Sequence, residues 1–253
     1  MSRFKDKKVA LALGGGSVLG GVHVGVLKAL QEYDVEITSI SGTSAGGIVA
    51  SLYAFGKSVK EIEQIVLGFE WKNLVTLTLS KYAILSNQKI GEMIIENIGN
   101  TKIEDAKIPL SMIATDITNG EKVILVKGST SDAVMATTCV PGIFIPVELG
   151  GRLLVDGGII ENVPFSGLNN QNVDYIIGVD LICNNSHKKP ENIIEVLYNS
   201  FNFLVKTNKL IQSKDAHLLI KPDLSNYNAI DLAQMKELIN IGYKETRKMM
   251  KNL

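Results

Sequence analysis

The chain has 253 residues, 45% of them hydrophobic, with Lys plus Arg and Asp plus Glu balanced at 26 each. That length supports one large α/β domain with a buried core, and the zero net charge excludes the basic field that nucleic-acid binding needs. The two cysteines, Cys139 and Cys183, belong to no CxxC pair, which excludes a disulfide framework and a structural zinc site and fits a reducing, cytoplasmic compartment.

In chain order, the basic N-terminus followed by Val9–Leu13 imitates a signal peptide. Its apolar run is short and falls into glycines, so it reads as a first strand. A glycine loop comes next, then an expected helix from about Gly21 to Tyr33. A strand at Ile37–Ser41, a sharp turn and a helix at Ala45–Phe55 follow. Ser58 and Glu61 have capping-box spacing and open another helix. A further helix is expected at Gln88–Ile98.

Leu110–Asp116 and Lys122–Val126 read as strands joined by a turn at Asn119-Gly120. A short helix around Asp132–Thr138 ends before Pro141, and a hairpin of Val147–Leu149 and Leu153–Val155, turning at Gly150-Gly151, leads into Asp156. Tyr175–Val179 and Ala216–Ile220 read as later strands, with helices at about Glu191–Lys206 and Ala229–Met250. The alternation of short apolar runs with helical periods predicts parallel strands joined by helices. We expect a single domain over residues 1–253, its motif-bearing core at about 9–180. No stretch reaches membrane-span length, so any membrane contact is expected to be peripheral.

Three places carry chemistry. Gly42-Thr43-Ser44-Ala45-Gly46 is a G-x-S-x-G between a predicted strand and helix. A serine hydroxyl must stand clear of the backbone to meet a base, and a tight strand-to-helix turn flanked by glycines achieves this. The plainer reading is a turn in which Ser44 caps the helix. The second place is Gly14-Gly15-Gly16-Ser17-Val18-Leu19-Gly20, whose N–H groups can converge on an anion. No Gly-Lys-Ser/Thr follows, as a P-loop would require, and Leu19 breaks the dinucleotide fingerprint. An oxyanion hole beside Ser44 is the better reading, with a purely structural loop as the alternative.

The third place is Asp156-Gly157-Gly158 at a strand end, in isolation only a turn. It matters because the histidines are poor bases for Ser44. His23 follows the glycine loop on a helix, where packing or capping is expected, and His187 sits in a polar loop. His217 with Asp180 could complete a Ser…Asp…His order, but it opens a strand, so that triad ranks below a Ser44–Asp156 pair.

Taken together these residues resemble the patatin-like phospholipases. Leu11–Gly16 through His23–Leu27 is similar to that family's glycine-rich block, and Gly42–Gly47 to its nucleophile motif. Thr138–Pro146 followed by Leu154–Gly158 resembles its aspartate block, with Asn162-Val163-Pro164 after it. The resemblance implies a three-layer α/β/α fold with a mainly parallel central sheet, and a histidine-free dyad in which Ser44 attacks an ester carbonyl and Asp156 takes its proton. It implies an oxyanion hole from the backbone N–H groups of Gly15, Gly16, Ser17 and Ala45, with Gly14, Gly20, Gly42, Gly46, Gly157 and Gly158 shaping the turns.

No metal or cofactor is implied. The expected partner is a phospholipid, lysophospholipid or other acyl ester; an acyltransferase using the same serine and a catalytically silent lipid-binding regulator are the alternatives. Two positions depart from the family pattern: Ser17 replaces a glycine, and Leu19 stands where a basic residue is usual, weakening the expectation of anionic-lipid affinity. Phe69–Leu79, which holds the only tryptophan, reads as the wall or lid of an acyl-chain site or as core, with core the default. The basic, amphipathic end of the last helix, Lys244–Lys251, is expected to be a solvated face, with membrane docking the lesser option.

Overall fold

The computed structural model describes residues 7–168, 173–182, 189–208 and 216–251; Cys183 and His187 lie outside them. The strands are β1 (Val9–Leu13), β2 (Ile37–Thr43), β3 (Thr76–Leu77), β4 (Leu85–Ser86), β5 (Leu110–Asp116), β6 (Glu121–Leu125), β7 (Val147–Leu149), β8 (Arg152–Asp156), β9 (Tyr175–Val179) and β10 (Leu218–Ile220). The helices are α1 (Gly21–Glu32), α2 (Ala45–Ala54), α3 (Val59–Leu67), α4 (Trp71–Leu74), α5 (Gln88–Ile98), α6 (Thr130–Thr137), α7 (Ile193–Asn208) and α8 (Met235–Lys251).

The main sheet has the order β10-β9-β1-β2-β5-β8-β7, with β6 also paired to β5. The pairs from β10 to β5 are all parallel, as the strand–helix alternation predicts. β1 is buried at every position, the signature of a parallel strand covered on both faces. Its odd residues, Val9, Leu11 and Leu13, join the larger core under α1, α2, α3, α5 and α8, while Ala10 and Ala12 face a smaller cluster with Val163, Phe165 and Leu168. The fold is therefore three-layered, with outer layers of unequal thickness.

β5 holds the key to the site. Its residues Leu110–Ile113 pair in parallel with Ile40–Thr43 of β2. Beyond that point Ala114–Asp116 pair antiparallel with Asp156–Leu154 of β8. Met112–Asp116 pair with β6 throughout, so β6 occupies one edge of β5, and β2 and β8 share the other. The two strands meet head-on in one lane: Thr43 lies opposite Ile113, and Asp156 opposite the next residue, Ala114. The residue after Thr43 is Ser44.

The expected hairpins form, with positive φ at Gly120, Gly150 and Gly151, and Ser58 and Glu61 make both bonds of a capping box. Two expectations need correction. The last helix begins at Met235, not near Ala229. Asp231 caps a short 3-10 turn, accepting the Ala233 N–H at 3.0 Å and the Gln234 amide at 2.6 Å; such local side-chain bonds compete with a helix. The default reading of Phe69–Leu79 as core fails beyond Leu74. Thr76–Leu77 and Leu85–Ser86 form a separate two-stranded sheet, on which Leu77 is 84% exposed and Leu79 fully exposed. Leu85 of this strand pair is half-buried beside residues 143–145, whereas among the described residues nothing covers Leu77 on the facing strand.

Candidate active site

Ser44 lies at the turn from β2 to α2, with φ 53° and ψ −124°. A non-glycine residue held there stores local strain, which persists only where its surroundings fix it. Its N–H donates to Thr137 Oγ1 at 2.9 Å, and that hydroxyl donates to the Ile113 carbonyl at 2.5 Å. Thr43 Oγ1 donates to the Glu161 carbonyl at 3.1 Å. Gly46 allows the turn to close, because a side chain there would meet the Leu13 carbonyl oxygen. Gly42 faces the Gly46 carbonyl just as tightly.

Asp156 is fully buried. Its N–H donates to the Cys139 carbonyl at 2.8 Å, and its carbonyl accepts from Thr115 Oγ1 at 3.0 Å. Oδ1 accepts the Gly158 N–H at 2.8 Å; Oδ2 is buried without a hydrogen-bond partner among the described residues. Burial pushes the carboxyl up to about 7, against the lowering pull of the nearby Ser44 hydroxyl and the Gly158 N–H. Gly157 lies so close to β5 that a side chain would strike the Ile113 carbonyl.

The glycine loop is held from three sides. Gly14 N–H donates to the Val179 carbonyl at 3.0 Å, Gly15 N–H to the Asn162 carbonyl at 3.3 Å, and Asn162 Nδ2 to the Gly15 carbonyl at 3.4 Å. His23, fully buried, meets the Gly14 carbonyl through Nε2 at 2.7 Å. Burial lowers its pKa to about 4, so the ring is neutral at pH 7 and serves as a brace. Gly20 abuts Ala45, which joins the loop to the start of α2. Gly15 is thus already engaged, whereas the N–H groups of Gly16, Ser17 and Ala45 have no hydrogen bond among the described residues. Leu19 is buried.

Ser44 stands between unlike spaces. A cavity of about 20 Å³ touches both Ser44 and Asp156 and is lined also by Gly15, Gly16, Tyr198 and Phe201. An apolar pocket of about 110 Å³ also reaches Ser44, walled by Ile48, Phe69, Trp71, Leu74 and Phe144. A polar cavity of about 440 Å³ adjoins Gly16 and Leu19 and is lined by Tyr198, Asn202 and Lys206 of α7.

Ser44, Asp156 and the glycine loop therefore come together. The His217 alternative does not. Its Nδ1 accepts the Ile176 N–H at 3.0 Å, and Ile176 pairs with Ala10 near the start of β1, whereas Val179 pairs with Leu13 at the end that meets the glycine loop. Asp180 Oδ1 instead accepts the Ile182 N–H at 3.0 Å. Sequence reasoning misses the roles of four residues: Thr137, which holds the serine turn, Asn162, which holds the loop, and Tyr198 and Phe201, which line the cavity. Asn162 alone has a signal, its place in Asn162-Val163-Pro164.

A sequence profile described as patatin-like phospholipase matches residues 11–168. An uncharacterised NTE family protein of Mycobacterium tuberculosis is 34% identical over 177 residues, which are 69% of this chain and 49% of that protein. The lysophospholipase NTE1 of Meyerozyma guilliermondii is 28% identical over 273 residues, 94% of this chain and 19% of that protein. The chain thus spans about half the length of the mycobacterial relative it matches. The crystal structure of VipD from Legionella pneumophila superposes with a TM-score of 0.64 at 16% identity, covering 97% of this chain and 67% of that one, a likeness of fold. With the profile spanning the glycine loop, the serine turn and the aspartate strand together, the chain belongs to the patatin-like phospholipase family.

Proposed function

We propose that the chain hydrolyses the carboxylic esters of lipids through Ser44 and Asp156. The observation that carries this reading is the head-on meeting of β2 and β8, which sets a strained serine against a buried carboxylate at the end of an apolar pocket. Ser44 Oγ attacks the ester carbonyl while Asp156 takes its proton. The tetrahedral oxyanion is held by the N–H groups of Gly16, Ser17 and Ala45; one such donor typically contributes ~10²–10³ in turnover. Gly15, with its N–H on the Asn162 carbonyl, supports the loop rather than the anion. Collapse expels the alcohol, which recovers the proton from Asp156. The same carboxylate then activates water to release the fatty acid and free Ser44.

A carboxylate is a weaker base than imidazole unless its pKa is raised, and burial raises that of Asp156 to about 7. The apolar pocket suits one acyl chain, and the polar cavity beyond Gly16 suits a hydrated leaving group, so a single-chain lysophospholipid is the substrate we favour. The relative named lysophospholipase NTE1 points the same way. Mass spectrometry after treatment with a fluorophosphonate tests the reading: an adduct on Ser44 is expected, and absence of any adduct overturns it.

A further inference from the structure

No helix of the described residues is long and apolar enough to cross a membrane, yet a lipid must leave its bilayer to reach Ser44. We propose that the β3–β4 hairpin and its flank dock on an anionic lipid surface and set the mouth of the apolar pocket against it. This inference rests on the lipid reading above and adds to it the place where the lipid enters.

Three observations converge. The first is apolar exposure at the hairpin: Leu77 and Leu79 project, and Tyr82 is half exposed. Leucines so placed lose contact with water only when another phase covers them. The second is charge. Residues 71–91 contain Lys72, Lys81 and Lys89 and no Asp or Glu, in a chain whose net charge is zero. Glu70, just outside, pairs with Lys72 at 2.5 Å, and Lys89 Nζ donates to the Lys72 carbonyl at 2.6 Å, leaving Lys81, two residues after Leu79 and 4.9 Å from the Tyr82 ring centre. A lysine next to exposed leucines, with the part-exposed Tyr82 and Trp71 in the same segment, complements an anionic headgroup layer.

The third observation is continuity with the pocket. Trp71 is 40% exposed and also walls the pocket; its Nε1 donates to the Ile230 carbonyl at 3.0 Å. Leu85 exchanges hydrogen bonds with the pocket loop, donating to the Ile143 carbonyl at 2.8 Å and accepting the Ile145 N–H at 3.1 Å. That loop carries Phe144, another pocket wall. The hairpin is therefore tied to the loop that walls the pocket, and the proposed docking brings a lipid surface to that wall.

Flotation of the full chain carrying Ser44→Ala, which keeps the vesicles intact, tests this with phosphatidylcholine vesicles prepared with and without phosphatidylglycerol. The chain should float with the anionic vesicles. Leu77→Ser combined with Leu79→Ser should lower the bound fraction by roughly tenfold or more. Lys81→Gln should lower it by roughly fivefold, an effect that fades as salt is raised. In the chain with Ser44 intact, the leucine double variant should leave turnover of a monomeric short-chain ester unchanged.

Equal flotation of the parent and the double variant, or no flotation of either, overturns the proposal. So does a dimer in light scattering that the double variant converts to monomer, because a second copy would then be the cover. Absent turnover of the monomeric ester by the unmutated chain counts against the hydrolase reading alone, whatever the vesicles report.

Discussion

The parallel and antiparallel halves of the main sheet contribute different things to one site. The parallel half, β1 and β2, delivers the glycine loop and Ser44 at strand ends that run straight into helices, so each turn presents N–H groups and a helix start. The antiparallel half delivers Asp156 from the opposite direction, at the end of β8, where no long helix follows and burial is the largest influence on the carboxylate. β5 belongs to both halves and sets the spacing between them, because consecutive residues, Ile113 and Ala114, pair with Thr43 and Asp156. On the proposed reading, the nucleophile is thus made by local turn geometry and its base by long-range register.

Removing either end should have the largest effect. Ser44→Ala and Asp156→Asn are each expected to lower turnover on the order of 10⁴–10⁶-fold, read with a chromogenic ester. They should part company in stability. Asp156 has its folded pKa raised to about 7 from an ordinary 3.8, so the folded state binds the extra proton between those values. Its contribution to stability is complete below pH 4 and is lost as pH rises through about 7. Asp156→Asn should therefore be more stable than wild type at pH 8 by a few kcal/mol, since each tenfold difference in proton affinity is worth roughly 1.4 kcal/mol. At pH 4 the two should unfold at nearly the same urea concentration. Equal stability differences at both pH values would contradict the buried-carboxylate picture.

The seam itself can be strained next. Gly157→Ala pushes a methyl into the Ile113 carbonyl and should destabilise the fold by ~1–3 kcal/mol, with turnover falling alongside as Asp156 moves out of register. Thr137→Val removes the acceptor of the Ser44 N–H, leaving a buried donor unpaired at ~1–3 kcal/mol. Its turnover should drop by up to about 10²-fold, the usual effect of a misplaced reacting group. Urea titration and steady-state kinetics on the same preparations separate the two losses. Smallest of all, His217→Gln should leave turnover within about tenfold, ~1.4 kcal/mol in barrier.

What can be read in the sequence follows the same division. The strand, turn and helix around Ser44 and the glycine run are local patterns, visible because each residue's conformational demand is met by near neighbours. Asp156 is reached by weighing the histidines against it and through its aspartate block, since nothing in Leu154–Gly158 alone announces that β8 ends against β2. Thr137 is invisible for the same reason: its role depends on the register of β5, 24 residues earlier in the chain. The exposure of Leu77 and Leu79 escapes a sequence reading because an apolar run signals burial without saying by what. The start of α8 escapes it too, because the helical period continues through Ala229–Gln234 while the side chain of Asp231 takes up the Ala233 N–H and the Gln234 side-chain amide.

The central claim is that a buried carboxylate, not a histidine, activates Ser44. The rate at which a fluorophosphonate labels Ser44, followed by mass spectrometry from pH 5 to pH 9 in wild type, Asp156→Asn and His217→Gln, tests it most directly. If ionised Asp156 is the base, as proposed, labelling of wild type should rise with pH through about 7 and level above it. His217→Gln should trace the same curve, and Asp156→Asn should label slowly with no such rise. A rise near 7 that survives in Asp156→Asn, or that vanishes in His217→Gln, would contradict the account.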